Sequence, residues 1–244
     1  GGAGTGGSNT GVYLLKGSIS STGEVTTTED GEIFKAATIA ISGTGGAGTG
    51  SGLGVETRIA IDSRDGAIEI FGDGGANGTG VYLNFGSSIT SSGEGASAAT
   101  ITVDGTAGTG TYGSGVQMNQ NTLTSKDGDV SITGRGREGR TTGIYIDGAV
   151  VSSTGTGADA AAVSILGNGG DGTQNNNGIE VRRATTSFTT VDGDLSIVGR
   201  GGAGSGPIGI IFSEFATIAS TGTGPNAGKI SITGALPEGS NGHA

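Results

Sequence analysis

Apolar residues along this chain recur in three short stretches that repeat seven times. The first stretch has the form Gly-[Val/Ile]-x-apolar and begins at Gly11, Gly54, Gly80, Gly115, Gly143, Gly178 and Gly209. The second carries one apolar residue and then Ser or Thr two positions on: Ile19 and Ser21, Ile61 and Ser63, Ile89 and Ser91, Leu123 and Ser125, Val151 and Ser153, Phe188 and Thr190, Ile218 and Ser220. The third reads apolar-x-apolar-x-Gly, from Ile39-Ala40-Ile41 before Gly43, through Val130-Ser131-Ile132 before Gly134, to Ile230-Ser231-Ile232 before Gly234. Alternation at every second position, with β-branched residues on the apolar side, is the signature of a half-buried strand. Each repeat therefore holds three short strands, and stacking the repeats lines their inward residues into five columns in which Thr57 alone is polar.

One such coil is too small to close a core by itself, so coils must stack, each strand pairing in parallel with its counterpart in the next. The pattern predicts an all-β parallel β-helix of about seven three-strand coils, residues 1–244 forming one solenoid segment. Glycine recurs at three places per coil, before the first strand, after the second and after the third. It is expected there to supply positive φ and close packing of turn on turn. The loop between the second and third strands alternates between long and short, the short versions being Asp65-Gly66-Ala67, Asp127-Gly128-Asp129 and Asp192-Gly193-Asp194. The true unit is thus a pair of coils, with one extra acidic insertion, Glu24 to Glu32, in the first.

Composition narrows what such a rod can be. Of 244 residues 56 are Gly, charged residues are 14% and aromatics 4%, and Cys and Trp are absent, which removes disulfide-stapled and cysteine-ligated metal domains. Three prolines and no Gly-x-y period exclude collagen, and the apolar runs are far too short to span a bilayer as helices. A net charge of −10, with no aromatics interleaved among Arg135, Arg137, Arg140 and Arg200, argues against nucleic acid as a partner; these arginines are expected to be solvated loop residues.

Candidate chemistry is sparse, and no catalytic residue is expected. Polysaccharide cleavage on a β-helix needs clustered carboxylates. The near pair Glu56 and Glu69 is expected to be exposed, and the sole His, His243, lies next to the last residue. Arg58 and Arg182 follow Glu56 and Glu180 by two, the spacing of same-face ion pairs. Calcium is the one cofactor that Asp-Gly-Asp turns and a pI of about 4.4 would suit, but tandem calcium-loading nonapeptides are missing and solvated turns are the expectation. The column Ser21, Ser63, Ser91, Ser125, Ser153, Thr190 and Ser220 has inward parity and is expected to be a structural ladder of buried hydroxyls, bonded to one another or to turn carbonyls. Outward on alternate coils lie Tyr13, Tyr82 and Tyr145, about 9.6 Å apart. They are the candidate contacts for a sugar or a neighbouring fibre, set against the plainer reading that each is covered by its own loop.

The apolar columns, with corner turns such as Ser125-Lys126-Asp127-Gly128-Asp129-Val130-Ser131-Ile132-Thr133-Gly134, resemble the repeats of filamentous-haemagglutinin-like adhesins and autotransporter passengers. The resemblance covers residues 11 to 234. It implies a right-handed solenoid, export to the cell surface or the extracellular space, and a role in adhesion or in fibres. Polysaccharide-binding or polysaccharide-cleaving β-helices of the lyase or tailspike type are the alternative. The chain opens Gly1-Gly2-Ala3 and shows no capping element, so it reads as an excerpt whose partners are further coils, other copies of itself or surface glycans. Its first ten residues are expected to close a coil, and Gly242 to open an eighth.

Overall fold

A computed structural model describes residues 9–48, 50–238, 240–241 and 243. Three parallel sheets of seven strands each form a β-solenoid. The first sheet takes Val12–Leu14, Val55–Thr57, Val81–Leu83, Tyr112–Asn119, Arg140–Asp147, Ile179–Arg182 and Ile210–Phe212. The second takes Ser18–Ser21, Ala60–Ser63, Ser88–Ser91, Thr122–Ser125, Val150–Ser153, Ser187–Thr190 and Thr217–Ser220, and the third runs from Ile39–Thr44 to Ile230–Ala235. The chain visits the three sheets in turn and then begins the next coil.

The strand registers are those the apolar columns require. Val55 pairs with Val81, Val81 with Val116, Val116 with Ile144 and Ile144 with Ile179. Because a slip of one residue would turn every inward side chain to solvent, the columns themselves specify the register. Ile61, Ile70, Leu83, Met118, Leu123 and Ile132 are fully buried, and Phe188 is the largest side chain in the core. Thr57, the polar exception, is buried too, and its hydroxyl accepts a weak bond from the Ile59 N–H at 3.4 Å.

At the corner glycines the expected close packing of turn on turn is present and the expected positive φ is not. None of the three columns adopts positive φ. What they need is room: a Cβ on Gly134 would fall deep inside contact distance of the Gly143 carbonyl oxygen, and one on Gly128 inside that of Ala99. The chain must pass this close because successive turns stack at the coil rise, which backbone alone can fit.

The short turns also do more than face solvent. Asp127 accepts the Gly95 N–H of the preceding coil's long loop at 2.7 Å, and Asp129 accepts the Ala162 N–H of the following one at 2.9 Å. Asp192 and Asp194 repeat the arrangement with Gly157 and Lys229, and Asp65 holds Val25. The second and third short turns are therefore two-sided clamps for the longer loops beside them, and the first, with Ala67 in place of the second Asp, holds one side only; orphan N–H groups of a long loop are met by carboxylates of its short neighbours.

Two elements go beyond the repeat. The acidic insertion folds as an antiparallel hairpin of Thr26–Thr27 with Ile33–Phe34, whose Ile33 and Phe34 are exposed. In the first sheet, the strands Tyr112–Asn119 and Arg140–Asp147 start four residues before the apolar pattern does, because Tyr112-Gly113-Ser114 pairs with Arg140-Thr141-Thr142.

At the last coil the inward columns are uncovered, with Ile230 39% and Ile232 47% exposed. His243 pairs in parallel with Ile208, its carbonyl accepting the Gly209 N–H at 2.8 Å. His243 thus stands opposite Ile208, one place before the glycine column of the seventh coil. Gly242 itself lies outside the described residues, as do residues 1–8 of the expected closing loop.

Candidate functional site

The outward column of the first sheet reads Tyr13, Glu56, Tyr82, Gln117, Tyr145, Glu180 and Ile211, each opposite the next. The tyrosines are not covered by their own loops. Each is clasped by the residue two places beyond its neighbour on the next coil. The Arg58 guanidinium lies 5.9 Å from the Tyr13 ring centre, Arg182 lies 5.5 Å from that of Tyr145, and the Asn119 amide donates to the Tyr82 hydroxyl at 3.3 Å. Tyr13 remains half exposed, while Tyr82 and Tyr145 are partly buried. Burial raises the Tyr145 phenol above its ordinary pKa, with Arg182 pulling the other way.

Glu56 overturns one expectation, for it is only 8% exposed. Tyr13 and Tyr82 flank it, Arg58 bonds it at 2.9 Å and the Asn84 amide donates to it at 2.8 Å. Glu69 belongs to the third sheet, between Ala40 and Thr102, so the two carboxylates sit on different faces of the rod. Glu180 repeats the pairing with Arg182 at 2.6 Å and with the Asn177 amide at 3.4 Å. The hydrogen bond from each arginine to its glutamate holds the Arg58 and Arg182 guanidinium groups above their ordinary pKa.

Beyond Gln117 the column forms the floor of an open groove of about 650 Å³, whose wall is made by Tyr112, Arg140 and Asn175. The early-starting strands build this wall, bringing Tyr112 and Arg140 side by side at its rim. No protein-family model, curated protein or solved structure matches the chain. The site rests on its own geometry.

Among the four loop arginines, Arg135 pairs with Asp104, Arg137 with Asp73 at 3.0 Å, and Arg200 donates to the Asn168 side chain at 3.4 Å. Arg140 has no ion pair among the described residues and lines the groove. Sequence reasoning placed it with the solvated loops. The signal that finds it is offset: Tyr112 and Arg140 each stand three residues before the column glycine of their coil, Gly115 and Gly143.

The Ser/Thr column is buried from Ser21 through Thr190, with Ser220 partly buried in the uncovered last coil. Four of its seven hydroxyls bond turn carbonyls, and none bonds another of the column. Ser21 donates to the Ala37 carbonyl at 2.7 Å, Ser220 to that of Val191 at 3.1 Å, and Ser63 and Ser125 to those of Gly66 and Gly128 in their own short turns. Ser91, Ser153 and Thr190 make no side-chain hydrogen bond to the protein. Ser125→Val should therefore cost about 1–2 kcal/mol, because the Gly128 carbonyl loses its donor, whereas Ser91→Ala should be neutral or stabilising. Urea unfolding of the two variants checks this, and equal losses would show that the carbonyl bond contributes nothing.

No group of three or more His, Cys, Asp or Glu side chains is arranged to hold a metal ion among the described residues. The Asp-Gly-Asp carboxylates each spend an oxygen on a backbone N–H of an adjacent loop.

Proposed function

We propose that the chain is a rod-like repeat section of a large secreted surface adhesin or extracellular fibre, with no catalytic role. The observation that carries this reading is the continuity of the stack. Three sheets run in one register through all seven coils, and at the last coil the core columns are still apolar and uncovered, with Phe212, Ile230 and Ile232 exposed. An apolar layer of this kind is suited to stacking against another coil. The parallel pairing of His243 with Ile208 supports the same reading.

An extracellular location follows from the resemblance to exported adhesin repeats, and a cysteine-free chain suits export through a pore in unfolded form. No helix among the described residues is long and apolar enough to cross a membrane. The test is electron microscopy of the native material beside the purified segment. Uniform fibres with an axial repeat of about 4.8 Å in the native sample support the rod, and fibres from the segment as well support stacking of copies. Discrete globular particles in both samples would overturn the reading.

A further inference from the structure

The groove on the first sheet carries hydrogen-bonding capacity that the protein does not use. Arg140 and the side chains of Gln117, Tyr112 and Tyr145 line it, and none of their guanidinium, amide or hydroxyl groups is bonded to the described residues. Arg182, also in the groove, is committed to Glu180, so the uncompensated charge of the site is the cation of Arg140. That is a local exception in a chain of net charge −10.

Shape narrows the occupant. The floor runs from Gln117 through Tyr145 and Glu180 to Ile211, one residue per coil, so it extends about 14 Å along the rod axis in a groove open to solvent. Its volume of about 650 Å³ lies within the range of small-ligand sites. An extended peptide would ordinarily gain its affinity by pairing with free backbone groups at a sheet edge. Here those groups are taken up between coils, as in the bonds from Gly143 N–H to the Asn177 carbonyl and from Ile144 N–H to that of Gly178. Recognition must come from side chains: an exposed Tyr112 ring to lie against a sugar face, an amide and phenol hydroxyls to meet sugar hydroxyls, and a guanidinium fork to take a carboxylate in two parallel bonds.

We propose that this groove binds an extended acidic oligosaccharide, with a uronate carboxylate received by Arg140 and a ring face by Tyr112. The inference is independent of the rod reading, since it rests on the groove alone.

Titration calorimetry with a hyaluronan hexasaccharide, which carries uronates, and with an N-acetylglucosamine hexamer, which does not, tests it on the full chain. The acidic hexamer should bind about tenfold or more tighter than the neutral one. Arg140→Gln should erase that preference, and Tyr112→Ala should weaken both. Both side chains are exposed, so the thermal melts of these variants should match the parent. Absence of binding by the acidic hexamer at millimolar concentration, a preference that survives Arg140→Gln, or a hexaglutamate peptide binding as tightly as the sugar would each overturn the proposal.

Discussion

Gly134→Ala is expected to destabilise the protein by roughly 3 kcal/mol or more, although it adds one methyl group. Gly134 faces inward at the end of its strand, and the added carbon would strike the Gly143 carbonyl oxygen and the Ile144 side chain. Neither can retreat. Gly143 and Ile144 donate their N–H groups to Asn177 and Gly178 at 2.9 Å, so moving them means lifting one coil of the first sheet off the next. Gly43, Gly72, Gly105, Gly167 and Gly199 each face the matching carbonyl at the start of the following coil, so the same loss should recur at any of them. Gly224→Asn is the control: its φ of +90° suits Asn among the non-glycine residues, nothing lies near its missing Cβ, and the cost should stay below about 1 kcal/mol. Chemical denaturation of both variants decides the matter. If the alanine variant unfolds with the parent, the close approach does not constrain the turn.

The second large effect is expected at Phe188. It is the largest fully buried side chain, in register between Val151 and Ile218, in a column otherwise built of Ile, Leu and Val. Phe188→Ala leaves a cavity that flanking coils cannot fill, because their spacing is fixed by hydrogen bonds on three sides. The loss should be about 3–5 kcal/mol. Phe188→Leu should lose far less, and Ile218→Ala, in the partly uncovered last coil, should fall between them. A Phe188→Ala variant as stable as Phe188→Leu would mean that the core at this level collapses freely.

The columns were legible in the sequence because a solenoid writes its register repeatedly. Val81, Val116, Ile144 and Ile179 are found by the same offset from a glycine, and the structure pairs them. Features that belong to one coil had no such redundancy. Nothing elsewhere in the chain corresponds to Thr26–Thr27 and Ile33–Phe34, so their hairpin could not be read from the repeat. The burial of Glu56 depends on Tyr82 and Asn84 of the next coil reaching over it, which is a matter of side-chain length and not of period. Aspartates in the short turns read as solvated because their partners, such as Gly95 and Ala162, are backbone groups more than thirty positions away. The groove was missed for a related reason. Its rim comes from strands that begin before their apolar pattern does, where Tyr112 and Arg140 pair on a segment without alternating apolar residues.

The direction of the sheet bonds has a mechanical consequence. In all three sheets the hydrogen bonds between coils run along the stacking axis, while the chain itself winds across it. A load applied between the two ends therefore pulls these bonds open in sequence at one coil, rather than shearing many at once. Each coil that peels away, such as the stretch from Val130 to Val163, releases about 110 Å of chain. Under tension the structure is a spool that lengthens many times over its stacked height while the remaining coils stay folded.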